Sequence, residues 1–517
     1  MKGDQAMSVQ FVKETVMSGY PVRAVPQQTA VEAEVVLPGG LRDEVRVLYT
    51  DAVAAPQLCE ASGGRVTVSG RVDFRVLYAQ GELTRVQVAE ASRDFSRALN
   101  VSAGQENARF YPACEVSNIS SRVFNGRLLL RADLNVYAEA VATQESLLVT
   151  EVQEADAEVL PREIHVQQIV GDGSTQGMIR GEFEISEVLQ ATEALLAHAE
   201  ARVEDIVGGA DGRATVTGTI DLTACFASLL SGRPVVCSQH SLPFEQTVAL
   251  GGEMGDMLSA TAEVTDTAVA LEGDESGRVL RAEVGVKVDM QSIAEKHVHL
   301  VSDVFATGEG ALRTENAEVS FCTNLINEQA AESARVQLLL PENAPRFKTV
   351  LSAFARPVLA GARETGGRLN VDMMLRTTLL YMTEDSGIPV SFAAEEPLRL
   401  TFPCSAAAED MLSLTASHVE ASMVASDRAE LRCVITLHAS GARDEQTTAI
   451  SDIVREENSA FASALALYIT QPGERLWDVM KRYRLSEKAL KALNDQAAEQ
   501  PVDAVLPLST RLIAYKR

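Results

Sequence analysis

Between Arg65 and Tyr78 apolar and polar positions alternate one for one. Val66, Val68, Val72, Phe74, Val76 and Tyr78 fall on one side, with Arg65, Thr67, Ser69, Arg71, Asp73 and Arg75 on the other. A period of two predicts a strand with one buried face. The pattern returns with Val216, Ile220, Leu222 and Phe226 set against Thr215, Thr217, Thr219 and Asp221. It also precedes the glycine, where Ala199, Ala201 and Val203 alternate with Glu200, Arg202 and Glu204, so the Gly-Arg pair between the runs predicts a hairpin turn. Gly70 and Gly218 interrupt the alternation, as glycine does at a bulge or a close backbone approach. The stretch Gln10 to Ser18 has weak helical character and is expected to cap the first run of strands.

These runs belong to an internal repeat. Gly64-Arg65-Val66-Thr67-Val68-Ser69-Gly70-Arg71-Val72-Asp73 recurs as Gly212-Arg213-Ala214-Thr215-Val216-Thr217-Gly218-Thr219-Ile220-Asp221, and more faintly as Gly367-Arg368-Leu369-Asn370-Val371-Asp372. The offsets are 148 and 155 residues, and an aromatic follows each copy at Tyr78, Phe226 and Tyr381. Each copy closes on a related tail: Val149-Thr150-Glu151-Val152, Val301-Ser302-Asp303-Val304 and Ile450-Ser451-Asp452-Ile453. The expected fold is therefore mainly β, three β-sandwich-like domains followed by a small C-terminal βααβ module. The expected bounds are an N-terminal segment 1–24, repeats at 25–165, 166–318 and 319–460, and the module at 465–517. The unit is too long for a solenoid or propeller blade, so beads on a string are expected rather than a closed ring. The joins Glu151 to Arg162, Asp303 to Thr314 and Ile453 to Ser463 are short and apolar, which predicts modest flexing.

In the module, a short apolar strand from Leu467 runs into Pro472-Gly473, then a helix with Glu474 and Trp477 near its start. Ser486 is a suitable N-cap for a second helix, Glu487 to Leu493, with Asn494 as its stop and Arg511 to Ala514 as the last strand. Tyr468, Gly473, Leu476, Trp477, Tyr483, Leu490 and Asn494 fall in positions typical of the LysM family, and the module resembles it. Arg475 stands where that family usually has a small hydroxyl residue, and Ser509 replaces a usual glycine. The resemblance implies a groove for N-acetylglucosamine-containing glycan, or for a protein partner, along Pro472, Gly473, Glu474, Arg475, Leu476, Asn494, Asp495, Val505 and Leu506. Trp477 itself is read as core rather than as a sugar platform.

Charge separates the module from the rest. The net charge is -26, yet residues 465 to 517 hold nine Lys/Arg against six Asp/Glu. An acidic body argues against nucleic acid and anionic membranes, which would repel it. No window of 18 apolar residues occurs and no signal-peptide h-region follows Met1-Lys2-Gly3-Asp4-Gln5, so neither a membrane span nor a leader is expected. Cys59, Cys114, Cys225, Cys237, Cys322, Cys404 and Cys433 are odd in number, and most lie within apolar runs. They are read as buried free thiols of a reducing cytoplasm.

Repeated Gly-Arg-Val-Thr-Val-Ser-Gly-Arg-Val-Asp-type strands followed by one terminal LysM-like module resemble the DUF3794 (SPOCS) family. Members with this layout are similar to SipL-type spore-coat morphogenetic proteins. The resemblance implies a non-enzymatic scaffold of spore coat and cortex assembly in the mother-cell cytoplasm, at the forespore surface. Its implied partners are a coat-basement ATPase of the stage IV A type and, alternatively, peptidoglycan glycan strands with the β domains as spacers.

Nothing in the chain argues for catalysis or for a cofactor. There is no phosphate-binding Gly-rich loop, and Gly171-Asp172-Gly173-Ser174 reads as a turn. Serine-hydrolase elbows and zinc-protease helices are also missing. His297-x-His299 places two imidazoles on one strand face, but no third ligand is identifiable nearby, so they are read as solvated. Acid pairs such as Glu151 with Glu154, or Glu456 with Glu457, are expected by chance among 72 acidic residues.

Overall fold

The structure, a computed structural model, describes residues 7–37, 45–62, 64–80, 86–101, 109–209, 211–230, 232–274, 277–308, 310–384, 389–408, 410–456 and 464–516. It is mainly β, with two short α-helices near the C-terminus. Among the described residues, the second and third repeats are each built on six long strands. In the second they are Ala157–Ile185, Ala191–Gly208, Arg213–Ser228, Val235–Ala249, Met257–Asp274 and Gly277–Ala306. The second, third and fourth strands form one antiparallel sheet, and the sixth pairs with both the first and the fifth in another. The third repeat follows the same order, from Ala311–Leu339 to Arg428–Glu456. In the first repeat the opening strand is split into Phe11–Arg23 and Gln27–Val36 around Pro26, which has no N–H to donate.

The alternating pattern becomes the core. Val66, Val68, Val72, Phe74 and Val76 are fully buried between the sheets of the first repeat. Val216, Ile220, Leu222 and Phe226 do the same in the second, and Leu369, Val371, Leu375 and Tyr381 in the third. At Gly70 an added Cβ would lie 2.5 Å from the Ala55 carbonyl oxygen and 2.9 Å from the Phe95 ring; at Gly218 the Arg202 oxygen and the Phe244 ring leave even less room. Strand register pairs Gly70 with Phe95, Gly218 with Phe244 and Met373 with Leu398. A glycine facing a phenylalanine is thus exchanged for two medium side chains, a swap that conserves core volume. The bulge lies on the second strand and is present in all three copies, at Pro56/Leu58, Val203/Asp205 and Leu359/Gly361.

Several sequence expectations are corrected. Gln10 to Ser18 is not helical: Phe11–Arg23 is a strand paired with the sixth strand of the first repeat, so the segment belongs to that repeat. Strands Ala157–Ile185 and Ala311–Leu339 run through the expected boundaries at 165/166 and 318/319. Gly171 to Ser174 lie within a strand rather than a turn, and Asp172 accepts a hydrogen bond from Tyr111 of the first repeat. Cys225 and Cys237, opposite one another on neighbouring strands, are joined as a disulfide. Of the free cysteines, burial pushes the Cys59 and Cys433 thiols up to about 11 and those of Cys114 and Cys322 to about 12, which leaves them protonated and unreactive.

The repeats are not beads on a string. They meet one another in cyclic order, each using its third strand against the fifth strand of the next. Arg75 donates to the Thr267 carbonyl at 2.7 Å, Asp221 lies 3.1 Å from His418, and Arg376 donates to the Ser117 carbonyl at 2.7 Å. Beyond each core the first and sixth strands continue as a two-stranded ribbon, and the three ribbons pack together. Val149, Val301 and Ile450, the equivalent tail residues, share one buried cluster with Val9, Val304 and Ile453. Met7 and Ser8 pair with Arg455 and Val454, tying the start of the first repeat to the end of the third. Arg455 also binds Asp156 at 2.6 Å and Glu154 at 3.3 Å, so the join between the first two repeats is clamped by the third rather than flexing. The last join falls partly on residues 457–463, outside the described residues, as does Glu457.

Candidate functional site

The terminal module is built as strand Ala464–Ile469, helix Leu476–Tyr483, helix Glu487–Leu493 and strand Arg511–Lys516, the two strands pairing antiparallel. Ser486 accepts the Ala489 N–H at 3.2 Å, as its N-cap position requires. At the first helix the cap is inverted: Arg475 has no side-chain acceptor, and Asp478 instead accepts its backbone N–H at 2.8 Å and its guanidinium at 3.1 Å. Ser509 takes a φ of 64°, the left-handed conformation that favours glycine.

The two loops of the expected groove are joined through their backbones. Arg475 and Val505 form a β-bridge, the Leu506 N–H donates to Glu474 O at 2.8 Å, and the Trp477 N–H donates to Val502 O at 2.8 Å. Pro472, Gly473, Asp495 and Val505 are exposed, Glu474 and Arg475 half-buried, and Leu476, Asn494 and Leu506 buried. The buried three pack inward, beneath the loop surface. Asn494 donates to Leu490 O and Ile513 O and accepts from the Ile513 N–H, locking the second helix to the last strand. Glu474 is also committed: it accepts from Tyr468 and the Gln471 N–H and pairs with Arg482 at 2.9 Å. Burial alone would raise its carboxyl, but these partners hold it below the usual carboxylate range. Of the nine residues expected to form a groove, Pro472, Gly473, Asp495 and Val505 are thus the exposed ones.

Trp477 is only 1% exposed and packs in the module core, as its reading from sequence has it. Its indole also reaches out of the module. Nε1 donates to Asp303 of the second repeat at 2.8 Å, Lys481 reaches both Asp303 oxygens at 2.7 Å, and the Phe305 ring meets the indole edge-on at 5.0 Å. With Arg484 donating to the Gly310 carbonyl at 2.8 Å, the module is docked on the end of the second ribbon. The sequence did not single out Asp303, because Glu151 and Asp452 place acids at the same position of the other tails.

A second concentration of polar groups lies where the repeats meet. A cavity of about 290 Å³ is lined from all three, by Tyr49, His198, Phe354, Arg356, Arg376 and His418 among others, and two neighbours of about 250 and 210 Å³ share His198 with it. Arg356 pairs with the buried Asp51 at 3.2 Å, and Tyr49 stacks on Phe354 at 3.8 Å. Desolvation among the packed repeats would lower the His198 imidazolium, but its contact with Glu200 at 3.5 Å and the fields of Glu200 and Asp51 outweigh that and raise its pKa, while half of its side chain still meets the cavity space. His438 is instead lowered, chiefly by burial. These groups mostly satisfy one another across the seam, an arrangement suited to holding repeats together. A signal for the seam existed in the sequence. Alternation fails at Val76-Leu77-Tyr78-Ala79, Ala224-Cys225-Phe226-Ala227 and Leu379-Leu380-Tyr381-Met382, where both strand faces are apolar.

No helix among the described residues is long and apolar enough to cross a membrane. Compared with family models, with curated proteins and with solved structures, the chain matches none of them.

Proposed function

We propose that this chain is a non-enzymatic scaffold of spore-envelope assembly, three SPOCS-like β-sandwich repeats presenting one LysM-like module. The module docks on a coat-basement ATPase of the stage IV A type at the forespore surface. The observation that carries this reading is how the module is held: Trp477, Lys481 and Arg484 fix one side of it to the second repeat, while Pro472, Gly473 and Val505 stay exposed. A recognition surface on a rigid mount loses little conformational freedom when a partner binds. The acidic repeats and the slightly basic module suit docking on an acidic partner surface.

Glycan binding is the second reading, favoured by the bridged pair of loops around Gly473 and Val505. Val505→Asp, on a side chain 61% exposed, tests both. In sporulating cells the variant should fold yet fail to reach the forespore, and lose pull-down of the ATPase. Normal recruitment would overturn the docking reading. Loss of peptidoglycan co-sedimentation with recruitment intact would instead support the glycan reading.

A further inference from the structure

We propose that Glu163, His165 and His297 form a binding site for a divalent transition-metal ion, with Zn2+ the ion they suit best. Strands Ala157–Ile185 and Gly277–Ala306 run antiparallel, and their register sets His165 directly opposite His297 and Glu163 directly opposite His299. Directly opposed side chains start about 4.5–5.5 Å apart at Cβ, so two imidazoles there can converge on one ion. The His165 and His297 rings are 4.2 Å apart at 65°, His297 Nδ1 is 3.1 Å from Glu163 Oε1, and one ligand atom from each of the three lies within 4.8 Å of the others. Tetrahedral zinc, with bonds of about 2.0–2.2 Å, needs ligand atoms about 3.3–3.5 Å apart. Rotation of exposed side chains suffices to close that difference.

The setting favours such a site. All three ligands are exposed, while Ile164, Val166 and Val298 between them are buried against the other two ribbons. The backbone is therefore fixed and only the ligands need to move. Glu295 Oε1 lies 3.6 Å from His165 Nδ1, placed to orient that ring in the manner of a carboxylate behind a metal-bound histidine. Of the nearby cations, Arg162 is engaged by Glu445 and Thr447 of the third repeat. Two imidazoles and one carboxylate match zinc, nickel or copper, whereas calcium and magnesium take oxygen ligands. His297-x-His299 alone lacked a third ligand; strand pairing supplies two from far upstream. The same ribbon carries Leu160 and Asp303, so an ion here would staple its strands next to the seat of the terminal module.

Titration calorimetry of the untagged full-length chain with Zn2+, with Co2+ absorption as a geometric probe, tests this. One saturable site with tetrahedral Co2+ bands is expected. His165→Ala and His297→Ala should each abolish both signals without changing the metal-free melting curve, and Glu163→Gln, which removes the charged ligand, should weaken binding. Absence of saturable Zn2+ binding, or binding that survives His165→Ala and His297→Ala, would overturn the proposal.

Discussion

On one face the third strand of each repeat shows Val76 and Tyr78, Ala224 and Phe226, or Leu379 and Tyr381 to its own core. On the other it shows Leu77, Cys225 or Leu380 towards the neighbouring repeats. The core face stays apolar in all three copies, even where Gly70 and Gly218 give way to Met373. The seam face diverges: one register position holds Asp51, His198 and Phe354, opposite Arg75, Thr223 and Thr378 respectively. A core requires apolar volume, which many side chains supply interchangeably. A seam between non-identical neighbours requires each polar group to find its own partner, so equivalent positions there cannot stay alike.

That contrast can be broken from either side. Phe226→Ala, in the core, should cost about 3–5 kcal/mol in urea unfolding. Arg356→Ala, in the seam, strands Asp51 and should cost about 2–3 kcal/mol, less than a fully buried pair because Arg356 is partly exposed. The double variant Asp51→Asn/Arg356→Met should recover part of that loss if the pair rather than the arginine matters. Asp303→Ala should cost about 1–3 kcal/mol of module docking. Because Trp477 is the single tryptophan, its fluorescence should shift to the red if the module is released.

Two seam histidines should shape the pH profile with opposite signs. His438, lowered by burial, loses its contribution as pH falls below about 6.5, where the unfolded chain takes up the proton first. His198, raised by Glu200 and Asp51 against its desolvation, contributes fully below about pH 6.5 and loses that contribution as pH rises through its folded-state value. Melting temperature against pH should therefore flatten on the acid side in His438→Gln and on the alkaline side in His198→Gln. The smallest effect is expected at Ser509→Gly, which relieves a left-handed serine and should stabilise the module by about 0.5–1 kcal/mol.

Part of this architecture is legible in local stretches of the chain. The period-two runs named the core residues, the internal repeat divided the chain, and Ser486 marked the start of the second helix, because these signals depend on neighbours close along the chain. The burial of the two loops expected to flank a groove was not legible. In them Gly473 and Val505 are exposed while Asn494 and Leu506 turn inward, since burial depends on what packs above a loop and not on its own sequence. Closure of the ring, the seat of Trp477 on Asp303 and the meeting of His165 with His297 join residues more than a hundred positions apart. What the amino-acid sequence alone determined is each strand's inner face and the existence of three like units. Which outer faces meet was decided only by tertiary structure, because strand register and the packing of three ribbons place side chains that no local pattern connects.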